Sequence, residues 1–146
     1  MRTRKMEQGF TLVEIMIVVA IIALLAAIAI PNLLRAKMTS NDALAQATLR
    51  AISTAAESFG TANNGAYPSA STDLTAPPAG APPYLNTPYC DGTARAGYTF
   101  ACNWSAGASG AAGSGYSIVA TPVAKNSTGS VTSYTMTTGG VLTTQP

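Results

Sequence analysis

From Phe10 to Ile30 the chain runs for 21 residues with a single charge, Glu14. A helix of that length reaches about 31 Å, which matches the hydrocarbon thickness of a bilayer. The stretch is apolar on every face, so it predicts a helix surrounded by lipid or by other helices rather than by water. Beyond Pro31 the pattern changes. Leu44, Thr48, Ala51, Ile52, Ala55 and Phe59 repeat at helical spacing, with Asp42, Gln46, Arg50 and Glu57 mostly off that stripe. This half predicts an amphipathic helix covering a small core. It contains no Gly, and no Pro after Pro31, until Gly60, which is expected to end it. Phe10 to Phe59 together predict one helix of about 75 Å. Pro31 removes one backbone donor and leaves the Ala27 carbonyl without its usual partner, so a bend is expected there, with helix on both sides.

The remainder is turn-rich and then alternating. Residues 60–97 hold Pro68, Pro77, Pro78, Pro82, Pro83 and Pro88, six of the nine prolines. The segment PPAGAPP reads as a surface loop or polyproline stretch, not a sheet strand. Tyr98–Cys102, Tyr116–Ala120 and Ser133–Thr137 alternate as short strands, and Val141–Thr143 follows as a last one. Gly139-Gly140 suits a tight hairpin. The run GASGAAGSG between the first two strands lacks the Lys-Ser/Thr ending of a phosphate loop and reads as a hairpin loop. The fold class expected is α+β: a long N-terminal helix packed against a small C-terminal antiparallel β-sheet.

Charge sharpens this picture at the N-terminus. The leader MRTRKMEQG holds Arg2, Arg4 and Lys5 against Glu7. Basic residues stay on the cytoplasmic side, so the remainder is expected to cross the membrane. Without the leader the side chains sum to zero, with five bases and five acids. No basic patch for nucleic acid survives, so no nucleic-acid partner is expected. Glu14 then stands out, because a carboxylate in a membrane segment costs roughly 2.5–3.5 kcal/mol on insertion scales. No Lys, Arg or His lies between Phe10 and Arg35. If the chain were cut after Gly9, the new α-amine of Phe10 would supply a cation four residues away.

The residues Gly9-Phe10-Thr11-Leu12-Val13-Glu14, after a short basic leader and before an apolar helix with Pro31, resemble the signature of the type IV pilins and type II secretion pseudopilins. The resemblance is specific over roughly residues 5–35. It implies cleavage between Gly9 and Phe10 by a prepilin peptidase and methylation of the Phe10 amine. It implies that Glu14 pairs with a neighbouring subunit's N-terminus during assembly. It also implies a division into leader (1–9), helical spine (10–59, of which 10–30 forms the membrane or filament core) and globular head (60–146). The partners implied are copies of the chain, the peptidase, the pilus or type II secretion assembly machinery, and the inner membrane. The subunit would be a single-pass precursor there and then part of an extracellular pilus or a periplasmic pseudopilus. In that family the helix continues past the proline, with a kink or a melted turn.

Competing readings account for less. A secretory signal peptide with Ala27-Ile28-Ala29 as its cleavage site leaves Glu14 unexplained. So does a plain anchor carrying a binding or adhesion module. Some pseudopilins carry an acidic calcium site late in the head, but no Asp or Glu follows Asp91 here, which favours a pilus subunit over a pseudopilus one. Neither a metal nor a cofactor is expected, since the chain has no His and only two cysteines. The lack of His also rules out the Ser-His-Asp and Cys-His catalytic arrangements, so no enzyme is expected. Cys90 and Cys102 allow one pairing, and an exported head favours its oxidation. In the resembling family a cysteine pair often staples the end of the head, whereas here 44 residues follow Cys102. Asn103-Trp104-Ser105 and Asn126-Ser127-Thr128 match the glycosylation pattern, which arises often by chance in a Ser/Thr-rich chain.

Overall fold

The computed structural model describes residues 9–77, 80–105, 115–123 and 132–145. The leader up to Gln8, the Gly-rich run before Gly115, Pro78 and the Asn126 sequon lie outside the described residues. Helix α1 spans Leu12–Ala62 and runs through Pro31 without interruption. Thr11 starts it: its Oγ1 accepts the Glu14 backbone N–H at 3.2 Å, and its carbonyl accepts the Ile15 N–H. Thr11-Leu12-Val13-Glu14 thus has the spacing of a capping box, and Glu14 lies in the first turn, where the helix dipole favours an anion.

The chain divides into two compact units, one ending at Ala36 and the other beginning at Lys37. In the first, every residue from Gly9 to Ala36 is exposed except half-buried Ala26. Its side chains include Leu12, Ile15, Ile21, Leu24, Ile28 and Leu33, all at least half exposed. The helix is long and apolar enough to cross a membrane, with a mean hydropathy of 3.0 over its most apolar 18 residues.

The second unit is α+β. After a four-residue helix α2 (Thr72–Thr75) come strands β1 (Tyr98–Ser105), β2 (Gly115–Pro122), β3 (Ser133–Thr137) and β4 (Val141–Gln145). They form one antiparallel sheet in the order β1-β2-β3-β4. Side chains alternate between faces, so Tyr98 and Phe100, Tyr116, Ile118 and Ala120, and Tyr134 and Met136 share the inner face. The register places Ala120 opposite Phe100 and Tyr134, and Ile118 opposite Cys102 and Met136. The C-terminal part of α1 fills that face with Ala45, Leu49, Ile52, Ala55, Ala56 and Phe59, and Leu74 of α2 closes the cluster. Between β3 and β4, Gly139 and Gly140 both have positive φ (81° and 75°), and the Gly140 N–H reaches the Thr137 carbonyl at 3.0 Å. Residues with a side chain rarely adopt that conformation, which is why the turn carries two glycines.

Two details differ from the sequence expectation. The buried stripe is Ala45, Leu49, Ile52, Ser53, Ala55, Ala56, Phe59 and Gly60, so Ile52, Ala55 and Phe59 are buried as expected, whereas Leu44 and Ala51 are exposed and Thr48 is half-buried. The stripe is therefore turned from the expected one towards Ala45, Leu49, Ser53 and Ala56. Alanine sits equally well on either side of such a boundary, so the choice rests on polar partners that spacing does not reveal. Nor does Gly60 stop the helix. It lies inside the last turn, where an added Cβ would stand 3.5 Å from the Tyr67 ring. The stop comes at Asn64 (φ 54°) and Gly65 (φ 87°), with the Gly65 N–H returning to the Gly60 carbonyl at 2.8 Å.

This register has a direct test. Leu49 is fully buried and Leu44 is 55% exposed. Leu49→Ala should cost about 2–5 kcal/mol of stability, and Leu44→Ala less than about 1 kcal/mol. Thermal unfolding of both variants checks this; equal losses would contradict the packing.

Candidate functional site

The N-terminal segment brings Gly9, Phe10, Thr11 and Glu14 together at the start of α1. Gly9 is exposed, and a Cβ built on it meets no atom within 4 Å. Nothing in the described chain therefore requires glycine at that position. Phe10 is 81% exposed and precedes the helix, rather than lying one helical turn below Glu14 within it. The helix starts later than expected because Thr11 serves as its cap, and a capping residue is not itself helical. Glu14 is exposed. This chain gives the carboxylate no ion pair among the described residues.

In the second unit, two carboxylates of α1 receive tyrosines from the sheet. Tyr98 is fully buried, and its hydroxyl donates to Asp42 Oδ1 at 2.7 Å. The Tyr116 hydroxyl donates to Glu57 Oε1 at 2.8 Å and shares a 2.7 Å hydrogen bond with the Ser53 hydroxyl. Glu57 also accepts the Tyr67 hydroxyl on Oε2 at 2.8 Å and the Gly139 N–H on Oε1 at 2.9 Å. One carboxylate thus gathers the segment after the helix, strand β2 and the β3–β4 turn. The Tyr67 and Tyr116 rings meet edge to face, with centroids 5.4 Å apart. Thr138 Oγ1 accepts the Tyr116 N–H at 2.8 Å, closing the turn over the same point.

The electrostatics follow from this arrangement. Burial works against the charge on Glu57, but the Gly139 N–H and the two tyrosine hydroxyls outweigh it, and its carboxyl sits below its ordinary 4.5. Tyr67 is raised, first by its hydrogen bond to Glu57. Tyr116 is pushed up to about 12, chiefly by burial and further by the neighbouring Glu57. Helical spacing sets Asp42 and Glu57 mostly off the buried stripe and gives neither a partner. The available signal was the inward phase of Tyr98 and Tyr116, because a tyrosine turned into a core needs a partner for its hydroxyl.

Cys90, in the segment before β1, is joined by a disulfide to Cys102 on β1, with Cα atoms 5.7 Å apart. Asn103 lies exposed on the outer face of β1, next to half-buried Trp104, whose Nε1 donates to Ser71 Oγ at 3.2 Å. Among the described residues no group of three His, Cys, Asp or Glu side chains is placed to hold a metal.

An apolar, exposed N-terminal helix followed by a small head with a four-stranded antiparallel sheet defines an α+β, pilin-like arrangement. The comparisons with known proteins agree. The family described as the prokaryotic N-terminal methylation motif matches residues 4–30. The chain is 53% identical over 53 residues to the type IV major pilin protein PilA of Myxococcus xanthus, covering 36% of this chain and 24% of that one. It is 57% identical over 42 residues to the type IV wide pilus major component PilA4 of Thermus thermophilus (29% and 32% of the two chains). It is 36% identical over 73 residues to the type II secretion system core protein G of Pseudomonas aeruginosa (50% and 51%). The matched part thus spans between about a quarter and a half of these relatives. No solved structure matches the chain. The N-terminal segment is thus similar to those of type IV pilins and of a type II secretion core protein.

The Glu57 cluster predicts a defined pH response. A lowered carboxyl contributes stability that is present above its unfolded value and is lost as pH falls through the folded one. A raised tyrosine contributes stability that is present below its unfolded value and is lost as pH rises through the folded one. The head should therefore lose stability below about pH 4.5 and again between about pH 10 and 12. Glu57→Ala should cost about 1–3 kcal/mol at neutral pH and flatten the acid limb of the unfolding profile. An unchanged acid limb would assign it to another group.

Proposed function

We propose that the chain is the structural subunit of a type IV pilus-like filament, held in the inner membrane by its N-terminal helix before assembly. The observation that carries this reading is the exposed apolar helix bearing one carboxylate directly after Gly9-Phe10. From Phe10 to Leu34 every large apolar side chain is about half exposed or more. Lipid covers that surface in the precursor, and neighbouring helices cover it in the filament. Exchanging lipid for helices removes little apolar surface from water, so packing and polar pairing carry the specificity of assembly. The reading divides the chain into leader 1–9, spine 10–59 and head 60–146. Its partners are copies of itself, a prepilin peptidase, the assembly machinery and the membrane.

The peptidase explains Gly9. Since nothing in the described chain crowds that position, the requirement for a missing side chain comes from outside, from an enzyme that must approach the bond after it. The new Phe10 amine is then the methylated group and the cation that Glu14 lacks. Pro31 supplies a bend in the spine. The outer end of the subunit is the disulfide-stapled head, displayed on the filament surface. A pseudopilus subunit is the second reading, favoured by the match to the secretion core protein, which covers half of this chain. The lack of any Asp or Glu after Asp91 weighs towards the pilus.

Processing is checked by the intact mass of the purified subunit. It should correspond to a chain starting at Phe10 with one added methyl group; a start at Ile30 would show a secretory signal peptide instead. Assembly is checked through Glu14→Ala, which makes the segment more apolar. Membrane insertion and cleavage after Gly9 should survive, while the yield of sheared filaments falls at least about tenfold, the loss expected from removing one buried charge pair. Normal filaments with Ala at that position would refute the assembly role of Glu14.

A further inference from the structure

The charges along α1 mark out a length. Glu14 and Arg35 bracket residues 15–34, a run of 20 that carries no charge. The helix is continuous over all of them. At about 1.5 Å per residue they rise about 30 Å, the thickness of a bilayer's hydrocarbon. Each of these residues is exposed except half-buried Ala26. Lys37 follows Arg35 two residues later in the sequence, and both cations are exposed. A span counted over residues 10–30 has nearly the same length but lies about one helical turn nearer the N-terminus.

Two observations choose between these depths. The first is at the start of the helix. The first helical hydrogen bond runs from the Ile15 N–H to the Thr11 carbonyl, and Thr11 Oγ1 accepts the Glu14 N–H. The N–H groups of Leu12 and Val13 precede that bond and have no partner among the described residues. Acyl chains offer a backbone donor nothing, so this end of the helix belongs where water or headgroups reach it, and Glu14 belongs with it. The second observation is at the other end. Leu33 and Leu34 are both more than half exposed. A span that stopped at Ile30 would leave them in water, whereas one that reaches Leu34 covers both. Asn32 then lies three residues from Arg35, within one turn of the boundary.

We propose that the subunit sits in the membrane with residues 15–34 in the hydrocarbon, Glu14 in the cytoplasmic interface, and Arg35 and Lys37 among the headgroup phosphates of the opposite leaflet. The proposal rests on the membrane-anchored reading above and adds to it a depth and a lipid class, the anionic phospholipids. Charge complementarity selects that class. Two cations stand directly at the hydrocarbon boundary, and no acid follows them until Asp42. Long basic side chains at the end of a span extend to headgroup level, where each cation strengthens attraction to an anionic surface about fivefold. Glu14 thereby avoids the acyl chains altogether. Its carboxylate stands in contact with water at the membrane surface before assembly, with Gly9 and Phe10 on the water side of it.

The test uses the processed full-length subunit, its disulfide intact, in vesicles of phosphatidylcholine and phosphatidylglycerol in equal parts. Nitroxide labels on Val13→Cys, Leu24→Cys and Ala36→Cys report depth through collisions with oxygen and with a water-soluble nickel chelate. The label at Leu24 should be the deepest, near the bilayer centre, with those at Val13 and Ala36 both at headgroup level. A label at Val13 as deep as the one at Leu24, with that at Ala36 in open water, places the span at residues 10–30 and overturns the proposal while leaving the anchor. Spin-labelled lipids read the headgroup preference. Phosphatidylglycerol should be favoured over phosphatidylcholine beside the helix by at least about fivefold, and Arg35→Gln combined with Lys37→Gln should abolish that preference without releasing the subunit from the vesicles. An unchanged preference in that variant overturns the role of the two cations. A subunit that does not float with the vesicles at all overturns the anchored reading, and this proposal with it.

Discussion

The dominant constraint on this chain is an apolar helical surface that its own described residues do not cover. From Phe10 to Leu34 the side chains are those of a core, yet they are exposed. A water-soluble monomer rarely leaves so large a contiguous patch open. Such a surface calls for cover from outside the fold, of the kind that lipid or other apolar helices provide. The remaining features are consistent with this demand. The single carboxylate of the segment lies in the first helical turn, and the polar positions of the later helix hold Ser and Thr. Thr48, Thr54, Ser58 and Thr61 return their hydroxyls to carbonyls four residues back, which lowers their demand for water without adding charge.

The head obeys a different rule. Its core is small and built from one helix face and one sheet face, so each polar group drawn into it needs a partner from the other layer. Asp42 and Glu57 stand 15 residues apart on α1 and meet Tyr98 and Tyr116 on adjacent strands. A tyrosine contributes a large apolar ring, and its hydroxyl fixes where that ring must sit. The two clasps therefore set both the axial position and the rotation of the helix against the sheet. Purely apolar contacts would tolerate a shift more readily.

These clasps also explain which parts of the structure could be read from the sequence. The long helix, the α+β class and the four strands followed from periodicity, because each has a run of residues long enough to establish its phase. Gly139-Gly140 marked the last turn, since only glycine adopts that backbone readily. The rotation of the helix was less legible: Ala51, Ala55 and Ala56 give almost no contrast, and the deciding contacts with Tyr98 and Tyr116 come from residues more than fifty positions away. Gly60 looked like a stop because glycine usually is one. Its actual use, making room for the Tyr67 ring, depends on tertiary packing.

The order of the sheet has a consequence for how the head forms. Strands β1 to β4 lie side by side in the order in which they occur in the chain, so every pairing closes a nearby turn. Among the described residues the joining of helix to sheet links the most distant positions, such as Glu57 with Gly139, 82 residues apart. Chains dominated by near-neighbour contacts reach their native topology quickly, and the slow step is the closure of the longest loop. The meander can thus assemble as soon as its residues are available, with the docking of α1 as the late event. A sheet built this way pairs both sides of β2 and β3 early and leaves only the outer edges of β1 and β4 open among the described strands, the places where β-rich chains clump.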